Sequence, residues 1–138
     1  MYIDAQTNGF FSRNTRSMDM YVLKAPVEGK GRYSKQFNGK GHFADIILSI
    51  VPSATMEVLN HTAIGSVREY FDDICDEINN YIASLPYKSC FKVVITGGLE
   101  FPVDSSSLSY RQAARYALRD AIDKALEAKI LVLASWLI

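Results

Sequence analysis

Cationic side chains alternate with glycines in one short stretch of this chain, Val27–Gly41. The cations and glycines of the stretch are Lys30, Arg32, Lys35 and Lys40, and Gly29, Gly31, Gly39 and Gly41. Lysine and arginine neutralise phosphate groups, and glycine permits backbone conformations that other residues resist. The pattern therefore predicts a mobile cationic loop that reaches out to an anionic polymer. The strongly apolar strand that follows, Phe43–Val51, would hold the base of the loop.

Two interpretations of this stretch stay open on residue types alone. In the first, the lysines contact phosphates of a nucleic acid. Gln36 and Asn38 then offer their side-chain amides to sugars or bases, and Phe37 or Phe43 offers an aromatic ring to them. In the second, the stretch is a flexible surface hairpin whose lysines only keep it soluble.

The other reactive side chains lack the spacing that catalysis or metal binding needs. The sequence has no GxxxxGK[ST] motif, so nothing in it cradles a nucleoside triphosphate in the Walker manner. His42 and His61 have no histidine at zinc-ligand spacing, and Ser105–Ser107 lacks the pattern of a nucleophile elbow. The carboxylates within Asp72–Glu77 are typical of a solvated helix face. We predict a protein that is not an enzyme, with no cofactor and no metal site.

Length and composition are those of one globular domain. The chain has 138 residues, of which 49% are hydrophobic and 22% charged, so a sizeable core is expected and disorder is not. The net charge is zero, but residues 1–41 hold seven Lys/Arg against three acids, and the remainder holds eight against twelve. This asymmetry allows a nucleic-acid partner. Cys75 and Cys90 are too few for a disulfide framework or a metal site.

The N-terminal residues are not expected to form a signal peptide. A basic start followed by an apolar run is missing, and no apolar segment approaches the ~20 residues that span a bilayer. We therefore predict a cytoplasmic protein with no membrane partner. Residues 1–17 are expected to form an arm or a short leading hairpin, and residues 18–138 the domain.

Hydrophobic periodicity predicts an α+β fold. Strands are expected at 18–25, 43–51, 91–96 and 130–138, with a less definite one at 56–59. One helix should run from Ser66 to Leu85, opened by a Ser66–Glu69 capping box, and a second should run from about Ser107 to Ala128. The resulting architecture is a two-layer α/β sandwich, a four-stranded sheet with two helices on one face.

Two motifs that follow each other along the chain resemble the fourth domain of elongation factor G. Val27–Lys30 and Lys35–Phe43 match that domain's Val-Glu-Gly-Lys and Arg-Gln-Ser-Gly-Gly-Arg-Gly-Gln-Tyr. Val103–Ser106, followed by Ser109–Arg111 and an alanine-rich helix, matches its Val-Asp-Ser-Ser and the helix after it. The resemblance covers about residues 18–138 and extends more distantly to the tetracycline-resistance ribosomal protection proteins.

The resemblance implies a ribosomal-protein-like fold with a left-handed βαβ crossover. It also implies two tip loops, Lys35–Gly41 and about Phe101–Ser107, that lie together and enter the small-subunit decoding centre. There they would contact ribosomal RNA and the messenger–transfer RNA duplex. The residues carried over as RNA-binding are Arg32, Lys35, Gln36, Asn38, Gly39, Lys40, Gly41, His42, Phe101, Asp104, Ser105 and Ser106.

The sequence departs from the family at several positions. Phe101, followed by Pro102, stands where the family has its tip histidine, Asn38 stands in place of a glycine, and Asp45 in place of a histidine. The family's GTPase domain is not part of this chain. Two possibilities follow: a piece of a larger factor that has GTPase and other domains as partners, or a stand-alone domain. The stand-alone domain would keep the fold and act in protein interaction or ribosome protection.

Overall fold

A computed structural model describes residues 19–101 and 103–137, apart from the side chains of residues 136 and 137. The predicted arm at 1–17 and Pro102 therefore lie outside the described residues. The strands are β1 (Met20–Leu23), β2 (Val27–Phe37), β3 (Lys40–Pro52), β4 (Glu57–Asn60), β5 (Lys88–Ser89), β6 (Phe91–Gly97) and β7 (Leu131–Leu133). The helices are α1 (Gly65–Glu69), α2 (Phe71–Ala83) and α3 (Ser107–Glu127), followed by a 3-10 turn at Ala134–Leu137. None of the helices within the described ranges is long and apolar enough to cross a bilayer.

The central sheet has four strands in the order β2–β3–β6–β4. β2 and β3 form one antiparallel hairpin, from the Val27–Ile50 pair to the Phe37–Lys40 pair. β6 is antiparallel to β3, whereas β4 is parallel to β6 and reaches it through α1 and α2. The predicted α+β fold is confirmed. The central sheet has four strands, but β2 and β4 take the places expected for the strands at 18–25 and 130–138. The hand of the β4–β6 crossover stays a prediction.

Strict alternation in β3 and β6 directs apolar side chains to one face of this sheet. In β3 every second residue from Ala44 to Ile50 is fully buried, and in β6 the same holds from Phe91 to Ile95. These residues form one core with Ile74 and Ile78 of α2 and with the alanine-rich inner face of α3. Both long helices therefore belong to the layer that covers this face, as the sequence predicts.

The glycine-rich stretch is a strand, so the prediction of a mobile loop at Val27–Gly41 is wrong. A Cβ added to Gly29 would lie 2.1 Å from the Ala117 carbonyl oxygen, and one added to Gly31 would lie 2.2 Å from that of Ala113. The two glycines are therefore sites where α3 lies directly on β2, and their lack of a side chain serves packing. Only Asn38 and Gly39, with φ of 54° and 76°, form a turn between the two strands.

A second sheet, β5–β1–β7, adds three short strands that the sequence only partly predicts. β1 matches the strand expected at 18–25, but it pairs with β5 and β7 and not with the central sheet. The strand expected at 130–138 shortens to Leu131–Leu133 and gives way to the 3-10 turn. The chain reaches β7 through Lys129, which ends α3 with a φ of 58°.

The helix predicted from Ser66 to Leu85 is interrupted at Tyr70. Its predicted capping box is wrong, because α1 has Ile64 as its N-cap and no side-chain cap. Tyr70 has φ −104° and ψ 20°, which separates α1 from α2. Ser66 does not cap a helix; its hydroxyl lies 2.7 Å from the Tyr110 hydroxyl, and both residues are buried. Because two buried hydroxyls need partners, this pair explains the serine better than a cap does.

The acidic face of α2 is paired with α3. Arg111 lies 2.7 Å from Asp73 and 3.5 Å from Asp76, and Arg115 lies 3.2 Å from Glu77. The face is therefore a set of partly exposed ion pairs between the two helices and not simply a solvated surface. In the part of the chain that the structure describes, no group of three or more potential metal ligands is found.

Candidate nucleic-acid interface

Two segments distant in sequence meet at one end of the central sheet. We name them the hairpin tip, residues 35–42, and the second loop, residues 98–101 and 103–106, which lies between β6 and α3. Strand β6 pairs with β3 only as far as Ile47, and beyond it the second loop lies against β3. There the Phe43 N–H donates to the Asp104 carbonyl at 2.9 Å. The described part of the second loop therefore contacts β3 next to the hairpin tip. That these segments form the tip expected from the resemblance stays a prediction.

A histidine and a serine join the hairpin tip to the start of α3. Nδ1 of His42 lies 3.1 Å from Oγ of Ser106. Ser106 is the N-cap of α3, where its hydroxyl accepts the Ser109 N–H and the Ser109 hydroxyl accepts the Ser106 N–H. One hydroxyl thus caps the helix and contacts the hairpin, so the tip is tied to a rigid element.

Aromatic packing fills the space between the two segments. The Phe43 and Phe101 rings lie 5.6 Å apart, and both residues are half-buried. A Cβ on Gly41 would come within 2.5 Å of the Phe43 ring, which explains the glycine. Phe101 and Gly41 therefore shape the tip from within, and a contact of either with RNA stays a prediction.

Lys35 and Lys40 present exposed charge at the hairpin tip. Neither forms an ion pair with another described residue. Arg32 differs, because its Nε and Nη2 donate to Asp45 at 2.9 and 2.6 Å. Asp45 is thereby the partner that compensates the Arg32 charge. This leaves the two lysines as the cations of the tip.

The remaining residues predicted to bind RNA are either exposed in the hairpin tip or half-buried in the second loop. Gln36, Asn38 and Gly39 are exposed, and Gln36 lies opposite Gly41 in the hairpin. Asp104, Ser105 and Ser106 are half-buried; both the N–H and the hydroxyl of Ser105 donate to the Phe101 carbonyl.

Two features of the interface escaped sequence reasoning. The Asn38-Gly39 pair is a strong signal for a tight two-residue hairpin, and it could have shown that strands flank it. Val103 belongs to the Val103–Ser106 motif, but its exposure of 87% in the second loop does not follow from the sequence.

A shallow depression of about 410 Å³ lies beside the Arg32–Asp45 pair. Lys30, Ile47, Gly98 and Leu99 also line it. Of its three charged residues, Arg32 and Asp45 form an ion pair at 2.6 Å, so these two are not available as an acid–base pair for a substrate. The depression therefore gives no support to an enzymatic reading of the chain.

Known proteins resemble this chain in sequence. A sequence model of elongation factor G, domain IV, matches residues 21–126. The chain is 34% identical to elongation factor G of Amoebophilus asiaticus over 114 residues, which is 75% of this chain and 16% of that protein. It is 33% identical to elongation factor G 1 of Syntrophomonas wolfei over 99 residues, 68% of this chain and 15% of that protein.

A solved structure shares the fold. A crystal structure of a protein from Thermus thermophilus superposes with a TM-score of 0.71 at 25% identity and covers 80% of this chain and 17% of that chain. The chain therefore spans about a sixth of the length of the proteins that it matches.

Proposed function

The chain belongs to the elongation factor G domain IV family, and on that premise we propose that it contacts ribosomal RNA of the small subunit near the decoding centre. It is a translation-factor domain, and we assign it no chemical step of its own. The contacts would be made by the hairpin tip and the second loop. The partners would be small-subunit RNA and the messenger–transfer RNA duplex, together with a GTPase domain in a longer factor.

The observation that carries this proposal is a pair of exposed lysines on a hairpin held at its base, neither of which has an ion-pair partner among the residues that the structure describes. Lys35 and Lys40 are exposed at the end of a two-stranded ribbon whose base is held by α3 and the second loop. The backbone ladder has already ordered the main chain that carries the lysines, so binding a phosphate costs only the conformational freedom of the side chains. The same two residues would give binding a strong dependence on salt.

The other tip residues have supporting parts in the proposal. Gln36 and Asn38 would offer amide hydrogen bonds to sugars or base edges. Asp104, Ser105 and Ser106 would hold the second loop against β3 and cap α3. Arg32 would contribute less than either lysine, because Asp45 already occupies two of its donors.

The test is the double substitution Lys35→Ala with Lys40→Ala, measured as binding to purified small ribosomal subunits across a salt series. Each lost phosphate contact removes about one unit from the slope of log affinity against log salt, so we expect the slope to fall by about two. Affinity at low salt should fall as well.

The matched control is Lys24→Ala with Lys88→Ala. It removes the same charge from exposed lysines at and beside the second sheet, away from the tip. We expect this control to bind with the slope of the unmodified chain. An unchanged slope and affinity in the Lys35/Lys40 variant would contradict the assignment of the tip.

A protein-interaction or ribosome-protection module is the second candidate, and Val103 favours it. Its side chain is 87% exposed in the second loop, where an apolar group suits a protein partner better than a phosphate. Phe101 gives this candidate less support, because its ring packs on Phe43. Recovery of a protein partner without ribosomal RNA in a pull-down would favour this candidate over the first.

A further inference from the structure

Four side chains share one face of the hairpin tip. In the register of β2 and β3, Lys35 is opposite His42 and Phe37 is opposite Lys40. Residues two apart in a strand, and residues opposite each other in a pair, lie on the same face of a sheet. Lys35, Phe37, Lys40 and His42 therefore form one surface, here called the tip face, with two cations and two aromatic rings.

The Phe37 ring is partly exposed, and it packs against His42 on one side. Its ring centre lies 5.3 Å from that of His42, with the planes inclined at 56°, and 44% of the residue is exposed. His42 is in turn held by Ser106, so the support does not depend on a mobile side chain. A Cβ on Gly39, in the adjacent turn, would have no other described atom within 4 Å, so the space at the tip is open.

The structure also separates Phe37 from the other phenylalanine of the hairpin. Phe43 is half-buried and packs on Phe101, so its ring belongs to the interior of the tip. Phe37 lies between two lysines: Lys40 is its cross-strand neighbour and Lys35 precedes it by two residues. Only Phe37 of the two therefore combines an exposed ring with flanking cations.

We infer that the tip face binds an unpaired nucleotide of an RNA, with the base stacked on Phe37 and adjacent phosphates on Lys35 and Lys40. An aromatic ring beside cations is the usual arrangement for single-stranded nucleic acid, because every base has a face that can stack. A base inside a duplex has both faces covered by its neighbours, so a ring at the tip selects an unpaired one. This inference rests on the proposed function and adds the class of RNA element that is bound.

The test compares Phe37→Ala with Phe37→Tyr. The probe is a short oligouridine that carries one 2-aminopurine, whose fluorescence falls when the base stacks on a ring. The unmodified chain and Phe37→Tyr should quench the probe saturably. Phe37→Ala should remove the quenching and weaken binding about tenfold or more, as expected for the loss of one base–aromatic stack. The same probe annealed to its complement should not be quenched.

The control is Leu126→Ala, which removes an apolar side chain that is 37% exposed at the opposite end of α3. It should bind the probe as the unmodified chain does. Absence of saturable quenching with the unmodified chain would overturn the inference, as would equal quenching of the annealed probe.

Comparison with the lysine variant separates this inference from the proposed function. Weaker binding of small subunits by the Lys35/Lys40 variant, with unchanged probe binding by Phe37→Ala, would overturn the stacking and leave the proposed function standing. Unchanged binding in both variants would overturn both.

Discussion

Nδ1 of His42 lies 3.1 Å from Oγ of Ser106, although the two residues are 64 positions apart in the chain. The contact joins β3 to the N-cap of α3, and the Phe43–Asp104 backbone hydrogen bond lies beside it. The hairpin tip and the second loop are thus a single unit, in which a change on one side is expected to loosen the other.

The first prediction concerns this link. His42→Ala removes the contact with Ser106, so the second loop should open from β3 more often and expose the Phe43 N–H. We expect amide hydrogen exchange of Phe43 to become about five- to tenfold faster, as for the loss of one hydrogen bond of about 1 kcal/mol. Exchange is measured by NMR.

Lys35→Ala is the control for this prediction. It removes the cross-strand neighbour of His42 but leaves the contact with Ser106 intact. The exchange rate of Phe43 should stay close to that of the unmodified chain. Equal exchange rates in the two variants would show that the histidine does not couple the segments.

The second prediction concerns the close approach of α3 to β2. Gly31→Ala places a methyl group 2.2 Å from the Ala113 carbonyl oxygen and 2.4 Å from the Ala117 nitrogen. Both are backbone atoms that cannot turn away, so the helix itself must move. The free energy of unfolding should fall by about 1–3 kcal/mol or more, measured in urea.

Gly65→Ala is the matched control. Gly65 is the first residue of α1, and the nearest atom to its added Cβ is a carboxylate oxygen of Glu100 at 3.3 Å. That flexible side chain can shift, so the loss of stability should be much smaller. A Gly31→Ala variant as stable as the control would mean that α3 does not lie on β2 as described.

The third prediction concerns pH. Burial opposes the ionisation of Asp120, but the Lys30 N–H at 3.0 Å and the Lys124 ammonium at 3.0 Å outweigh it and lower the pKa of this carboxyl below 3.8. A carboxyl whose pKa is lower in the folded state stabilises the fold above its unfolded pKa. This contribution is complete above pH 3.8 and disappears as the pH falls through the folded pKa.

The measurement is the free energy of unfolding of Asp120→Asn and of the unmodified chain across this pH range. The stability advantage of the unmodified chain should be largest above pH 3.8 and should shrink below it. It will be modest, because the side chain is 37% exposed and solvent screens its charge. If the free energy of unfolding had the same pH dependence in the two proteins, the pH-dependent stabilisation would not come from Asp120.

Local pattern predicts much of the fold correctly. The alternation from Ala44 to Ile50 predicts a strand with one buried face, and the β-branched run at Phe91–Thr96 predicts β6; both are confirmed. The sequence from Ser107 to Ala128 predicts a helix, and α3 confirms it. These predictions succeed because hydrophobic periodicity and side-chain size act on the conformation of a single strand or helix.

Prediction fails where a residue serves a distant neighbour. Gly29 and Gly31 have the local pattern of a loop, yet they are small because α3 must pass over them. Ser66 has the pattern of a helix cap, yet its hydroxyl pairs with Tyr110, which lies 44 positions along the chain. The partners of the two glycines are more distant still, so no local window of sequence contains both members of either contact.

The sequence by itself determined the α+β class, the family and the two segments that carry the tip. Tertiary structure decided which side chains of the tip are available to a partner. Asp45 compensates Arg32, while Lys35 and Lys40 stay exposed; Phe43 is packed, while the Phe37 ring is open. The physical reason is that periodicity assigns a side chain to a face, whereas its charge pairing and exposure depend on which other segment lies against that face.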